Sequence, residues 1–168
     1  MYSKSKEFTK RIVVLEKILS IRKEYIAEYS MSLIRDMEKL AFAYRQMGAY
    51  TKAIAAYKYI LKIYEENKYN PKDDFKRFSS IFYDLASVYV ELGDYAKAEP
   101  YFRRFLPLSD GALNNISPLT MTKLNSYAYI LQFTGKYKAS ESLYLKILQY
   151  VRKSYGENNM QEAAFLSG

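Results

Sequence analysis

The sequence predicts an all-α fold in which antiparallel helix pairs stack into a right-handed α-solenoid, with about seven main helices and a short C-terminal helix. Apolar residues recur at steps of three and four, the spacing of one helix face. Only 6 Gly and 4 Pro occur in 168 residues, so few residues interrupt helices. One pattern of residue types also begins at Leu40, Leu85 and Tyr127, 45 and 42 residues apart. A period of this length indicates a repeat array.

Composition excludes several classes of chemistry. The chain has no Cys and no His, so it supplies no disulfide, no thiolate ligand and no histidine base. The sequence also shows no nucleophile–base pair and no glycine-rich phosphate loop. We therefore predict no cofactor, no metal site and no enzymatic activity.

Charge and hydropathy bear on partners and location. The net charge is +8, but 26 Lys and Arg are interleaved with 18 Asp and Glu. This pattern favours solvated helix faces over a nucleic-acid-binding stripe, which would cluster on one face. The start at 1–7 is polar, and no apolar run reaches the length of a signal or membrane-spanning segment. We predict a cytoplasmic protein with no membrane contact.

The first predicted helix, about 5–29, carries two apolar stripes. A surface helix needs only one such stripe, so the second predicts that both sides are covered. Either another chain or a preceding part of a longer array would cover it, and we favour the longer array. The first stripe is Phe8, Ile12, Leu15, Leu19 and Ile26, and the second is Val14, Ile18, Ile21 and Tyr25.

The next two helices fold back on each other at Gly48. Ser30 or Ser32 caps the second helix, which runs to Met47, where Gly48 allows the left-handed turn. The third helix runs from 49 or 50 to about 67, and its small Ala53 is expected where two helices approach closely. Pro71 marks a loop over 68–74.

The remaining helices follow the same rules. Helix four begins after an Asp73 or Asp74 cap and runs to Leu92, with Gly93 in the turn and Asp94 as the next N-cap. Helix five begins at Tyr95 and ends around 107–111. Helix six begins at 118 and runs to about 134, and helix seven spans about 136–154, with Tyr137 among its inward residues. A last helix begins near 160.

The recurring pattern is a bulky residue, a Leu-Ala-like pair, an aromatic or Leu, a turn Gly, an aromatic, a small residue and a second aromatic. At these residues the chain resembles the tetratricopeptide repeat (TPR) family. The spacing exceeds the ~34 residues of ordinary members and is similar to the longer variant of kinesin light chains and bacterial scaffolds. The slots hold Met37, Leu40, Ala41, Tyr44, Gly48, Tyr50, Ala53 and Tyr57; then Phe82, Leu85, Ala86, Tyr89, Gly93, Tyr95, Ala98 and Phe102; then Leu124, Tyr127, Ala128, Leu131, Gly135, Tyr137, Ser140 and Tyr144.

The resemblance implies one array over 1–168, which we expect to be a fragment of a larger protein. A half repeat at 5–29 precedes repeats at about 32–67, 74–109 and 118–154, and a stub follows at 158–168. Arrays need polar capping units at their ends, and none is recognisable here. Self-association through the uncapped ends is therefore also expected.

The resemblance further implies a protein-interaction scaffold that binds a protein or peptide in a concave groove lined by the first helix of each repeat. Alternatives are a small TPR chaperone of secreted proteins and, with less support, a helical-repeat nucleic-acid binder. The groove candidates are the positions that alternate away from the core: Arg35, Lys39, Phe42, Arg45, Tyr83, Asp84, Ser87, Asn125, Tyr129 and Gln132.

Overall fold

A computed structural model describes residues 2–25, 30–66, 75–110 and 118–156 of the chain. Within these ranges all regular structure is α-helical, which confirms the predicted all-α class. The predicted loop at 68–74, the Asp73 or Asp74 cap and the helix near 160 lie outside the described residues. The helices are α1 (Tyr2–Tyr25), α2 (Met31–Gln46), α3 (Tyr50–Glu66), α4 (Phe75–Glu91), α5 (Tyr95–Asp110), α6 (Pro118–Phe133) and α7 (Tyr137–Tyr155).

The helices form two compact units, residues 1–93 and residues 94–168. In the first unit α1 packs on α2, α2 on α3 and α3 on α4. In the second unit α5 packs on α6 and α6 on α7. Within each unit, a helix therefore packs against the helix next to it in sequence. This is expected of a repeat array, in which each unit contacts only its neighbours.

Packing of α1 on α2 positions the first candidate surface. Leu15 and Leu19 are buried toward α2. An ion pair joins Arg22 to Asp36, with 2.6 Å between Nη1 and Oδ2, and the Tyr44 hydroxyl donates to the Glu16 carboxylate. Burial, and then that carboxylate, raise the pKa of Tyr44 to about 12. The tyrosine therefore stays neutral and keeps its role as donor throughout the physiological pH range.

Aromatic pairs link α3 to α4 in the core of the first unit. The Tyr64 and Phe78 rings meet edge to face at 5.1 Å between centroids, and Phe78 meets Phe82 in the same way at 5.0 Å. Such pairs add roughly 0.5–1.5 kcal/mol beyond their buried area. The repeat slots on α2 are all buried, namely Met37, Leu40, Ala41 and Tyr44, and Ile34, three residues before Met37, is buried as well.

The second unit is built around Phe102 of α5, whose ring stacks on Tyr127 of α6 at 5.6 Å between centroids. Ser140 of α7 fills the small-residue slot, and its hydroxyl donates to the Ala128 carbonyl at 2.7 Å. The prediction for Tyr137 is wrong, because this residue is 69% exposed. Tyr95 fills the same slot in the preceding repeat, and there Phe133 of the next helix, α6, contacts it. No helix that could contact Tyr137 in this way follows α7 among the described residues.

Local caps and turns set the helix ends. Ser30 caps α2 by accepting from the Leu33 amide at 3.3 Å, and Asp94 accepts from the Lys97 amide at 3.1 Å, so both predicted caps are confirmed. Helix α5 ends at Asp110, within the predicted range of 107–111, and it includes Pro107 in its last turn. A proline removes one backbone hydrogen bond, and the helix accommodates this loss near its end.

Gly93 occupies the left-handed region with φ 73°, and a Cβ built there meets nothing within 4 Å. Any cost of substitution is therefore backbone strain rather than a clash. We expect Gly93→Val to lower the free energy of unfolding by about 1–2 kcal/mol, because L-residues are disfavoured there. The change in unfolding free energy is measured by urea unfolding followed by circular dichroism. The control is Ala96→Val, because Ala96 is exposed in α5. An unchanged midpoint for Gly93→Val would contradict the turn assignment.

Candidate functional site

In the first unit, three predicted groove residues of α2 face solvent. Arg35 and Lys39 are exposed, and Phe42 is 43% exposed, which is high for an aromatic side chain. The Lys39 ammonium lies 3.2 Å from the Asp36 carboxylate, but its side chain remains largely exposed. Ion pairs of this kind are weak, so Lys39 remains able to meet an acidic group of a partner.

A pocket of about 530 Å³ opens between α1 and α2, beside Lys39 and Phe42. Leu15 supplies a buried apolar wall. Arg11 and Lys39 contribute cations, and Glu38 contributes a carboxylate. This combination of apolar walls and a few charged groups is typical of a binding pocket. The sequence placed Lys39 and Phe42 among the groove candidates but gave no role to Arg11, because α1 was considered only as a packing helix.

Arg45 and Asp84, two more predicted groove residues, are engaged within the first unit. Arg45 donates to the Glu91 carboxylate from Nε at 2.9 Å and from Nη2 at 2.6 Å, and its Nη1 lies 3.9 Å from Asp84. Burial disfavours the guanidinium charge, but the hydrogen bond and the charges of Glu91 and Asp84 outweigh it and raise the pKa of Arg45. These residues therefore join α2 to α4.

Beside this charged cluster lies a buried tyrosine hydroxyl. Tyr57 of α3 is 1% exposed, and its hydroxyl has no hydrogen-bond partner within the described part of the chain. Burial raises the pKa of Tyr57, and the negative charge of Asp84 raises it further. The hydroxyl is thus a neutral donor with no acceptor among the described residues, a rare arrangement in protein interiors.

The other two predicted positions on α4 differ from each other. Ser87 is buried, and its hydroxyl donates to the Tyr83 carbonyl at 2.8 Å. A hydroxyl committed to its own helix is not offered to a ligand, so the expectation that Ser87 lines an open surface is corrected. Tyr83 is half-buried and still presents part of its surface.

In the second unit the predicted residues lie on α6. Tyr129 is exposed, and its ring is 4.6 Å from that of Phe133, which in turn lies 4.8 Å from Tyr95. Asn125 has a buried Oδ1 with no hydrogen-bond partner among the described residues, and Gln132 is exposed. The aromatic row of Tyr129, Phe133 and Tyr95 was not predicted, because Tyr95 was assigned to an aromatic slot of the repeat and Phe133 to no slot.

Within the described ranges, no three acidic residues come close enough together to hold a metal ion. None of the helices in 2–25, 30–66, 75–110 and 118–156 is long and apolar enough to cross a membrane.

Residues 79–109 match the family model of the tetratricopeptide repeat. A crystal structure of nearly identical TPR-like repeats, from a Podosopora anserina protein assigned as a kinesin light chain, superposes with a TM-score of 0.80 at 15% identity, covering 98% of this chain and 76% of that one. The resemblance to the tetratricopeptide repeat is confirmed. The family-model match spans the second predicted copy of the repeat.

Other solved structures agree. A singly substituted form of the same Podosopora anserina TPR-like repeats gives a TM-score of 0.80 at 14% identity, with 98% and 76% coverage. BtubC (BKLC) from P. vanneervenii gives 0.67 at 20% identity, covering 94% of this chain and 62% of that one. These likenesses establish the TPR solenoid fold. No curated protein matches the sequence.

Proposed function

We propose that this TPR chain is a non-catalytic scaffold that binds a partner protein or peptide in the groove of its array. The TPR fold supports an interaction scaffold in general terms. The observation that carries the specific proposal is the pocket beside Lys39 and Phe42, which combines an exposed aromatic ring with exposed cations. Arg, with Trp and Tyr, is enriched among the residues that dominate binding energy, and Arg11 lines this pocket.

The pocket favours a peptide with an apolar side chain next to an acidic one. The apolar side chain would lie between Leu15 and Phe42, and the acidic one would meet Arg11 or Lys39. Glu38 in the same wall suits a backbone or side-chain N–H of the peptide. Charge complementarity of this kind raises specificity and the association rate more than affinity itself.

The second unit offers a peptide a different set of contacts. Asn125 is half-buried, so only the exposed part of its side chain could meet a peptide. The exposed ring of Tyr129 and the amide of Gln132 lie on the same helix and suit mixed apolar and polar contacts. Arg35 and Tyr83 are proposed as further contacts within the first unit. Arg45 and Asp84 support the binding surface indirectly, because they tie α2 to α4. A cytoplasmic location remains part of the proposal.

The direct test is selection of peptides from a random displayed library against the 168-residue chain, followed by fluorescence anisotropy. For selected peptides we expect Phe42→Ala and Lys39→Glu each to weaken binding by about tenfold, which corresponds to roughly 1.4 kcal/mol. The matched controls are Leu145→Ala and Lys146→Glu, since both α7 residues are exposed and neither lies in the proposed set. The controls should bind as the unmodified chain does.

Circular dichroism checks that each variant keeps its helical content. Selected peptides that bind Phe42→Ala and Lys39→Glu with unchanged affinity would refute the assignment of this pocket. A parallel titration uses single-stranded RNA and duplex DNA over a range of salt concentrations. Tight binding that falls steeply with salt would indicate phosphate contacts and favour the nucleic-acid alternative.

A further inference from the structure

Asp36 of α2 is a buried carboxylate that two cations share. It is 8% exposed, and each of its oxygens has its own partner. Nη1 of Arg22, near the end of α1, lies 2.6 Å from Oδ2, and Nζ of Lys39, three positions further along α2, lies 3.2 Å from Oδ1. Lys39 lines the pocket, whereas neither Asp36 nor Arg22 is among the described residues that line it. A residue outside the pocket therefore holds a cation that the pocket presents.

The two cations are held with different strength. The Lys39 side chain is 65% exposed and reaches back along its own helix, and exposed ion pairs of that kind contribute little to stability. Arg22 is 38% exposed, and its shorter contact joins α1 to α2. A hydrogen bond from a guanidinium to a carboxylate is among the stronger ones in proteins. Lys39 is therefore the cation that leaves Asp36 more easily.

The movement of Lys39 toward a ligand depends on what it leaves behind. With Arg22 in place, Asp36 keeps a counter-ion when Lys39 turns away from it. Without Arg22, the same movement leaves a buried carboxylate unpaired, which is strongly unfavourable. Arg22 thus makes Lys39 available to an acidic group, although Arg22 itself is not a described lining residue of the pocket.

We infer that Arg22 is a positioning residue that sets the preference of the pocket for acidic ligands by freeing Lys39 from Asp36. In the empty pocket Lys39 pairs with Asp36. In the occupied pocket it pairs with a carboxylate of the ligand, while Arg22 alone neutralises Asp36. The inference rests on the proposed function, since it concerns the same pocket. The other pocket charges, Arg11 and Glu38, stay the same in every variant below, so a comparison of variants isolates Lys39.

The test measures how strongly the pocket prefers an acidic peptide. The probe is the tightest library peptide that contains Asp or Glu and that Lys39→Glu weakens. Its twin has Asn or Gln in place of every Asp and Glu, and the acid preference is the ratio of the two dissociation constants in fluorescence anisotropy. We expect about tenfold for the unmodified chain and for Arg22→Lys, which keeps the charge, but no more than about twofold for Arg22→Met.

A structural role for Arg22 would give a different result. If Arg22 only tied α1 to α2, Arg22→Met would weaken both peptides by the same factor and leave the acid preference at its unmodified value. Adding Asp36→Asn to Arg22→Met removes the buried charge and releases Lys39. The acid preference should then return, although the tie between the helices stays broken, and misfolding would not restore it.

Variants without Lys39 test whether net charge alone is responsible. Adding Asp36→Asn to Lys39→Met should not raise the acid preference, because no ammonium is left to release. A rise equal to that in the Arg22→Met background would overturn the inference. The matched control is Lys17→Met, which removes an exposed lysine of α1 and should leave the acid preference unchanged.

This inference and the proposed function fail in different ways. Selected peptides that bind Lys39→Glu and Phe42→Ala with full affinity would overturn both. Three results would overturn this inference alone and leave the pocket assignment standing: Lys39-dependent peptides without any Asp or Glu, equal affinity of the unmodified chain for the peptide and its twin, or a full acid preference in Arg22→Met.

Discussion

Replacing Phe102 with Ala should lower the free energy of unfolding by about 3–5 kcal/mol, because a deleted core aromatic leaves a cavity as well as losing its transfer energy. Phe102 is 1% exposed, and its ring stacks on Tyr127 across the contact between α5 and α6. The loss should also loosen the burial that, with Glu99, raises the pKa of Tyr127 to about 12. The second unit should be the part that is weakened.

Urea unfolding followed by circular dichroism measures this effect, with Tyr137→Ala as the control. Tyr137 occupies an aromatic slot of the repeat but is 69% exposed, so we expect a change within about 0.5 kcal/mol. Equal losses for the two variants would contradict the packing assigned to Phe102. A hydrogen-exchange experiment locates the effect, because amides of α5 and α6 should lose the most protection.

Replacing Ala53 with Arg should destabilise the first unit. Ala53 lies in α3 and has no exposed surface, so a large side chain there must displace its neighbours. Overpacking alone typically costs about 1–3 kcal/mol, and enclosing an unpaired guanidinium adds to this cost. We therefore expect at least about 3 kcal/mol, enough to abolish a large part of the stability of an ordinary domain.

The same helix provides the control, because Ala55 is exposed only two residues away. Ala55→Arg should change the unfolding midpoint little, since Ala and Arg have similar helix propensities. Thermal melts of both variants, read by circular dichroism, give the comparison. If Ala53→Arg melts together with Ala55→Arg, the close helix approach at Ala53 is wrong.

Local rules in the sequence determined the helices and their ends. Gly48 and Gly135 end α2 and α6 in the left-handed region, with φ 71° and 74°, and in both turns the following amide donates back to a carbonyl five residues earlier. Glycine adopts this conformation without steric cost, so a single Gly in the sequence is enough to predict the turn. The repeat slots on α2 and α4 are likewise buried, because residues three and four positions apart share one helix face.

The candidate site was only partly predictable. Periodicity indicated that Lys39 and Phe42 turn away from the core, and the structure shows both exposed. It could not show that Arg45 is held by Glu91, since the two lie 46 positions apart and only the packing of the first unit brings them together. The same limit applies to Ser87, whose spacing fits an open face although its side chain is buried.

The sequence by itself determined the repeat, the helices, the turns and the absence of cysteine and histidine chemistry. The tertiary structure decided which polar residues are already paired, where α1 and α2 leave a pocket, and that Tyr137 is exposed. The physical reason is that helix formation and burial pattern depend on neighbours within about one turn, whereas ion pairs, pockets and aromatic contacts depend on which elements meet in space.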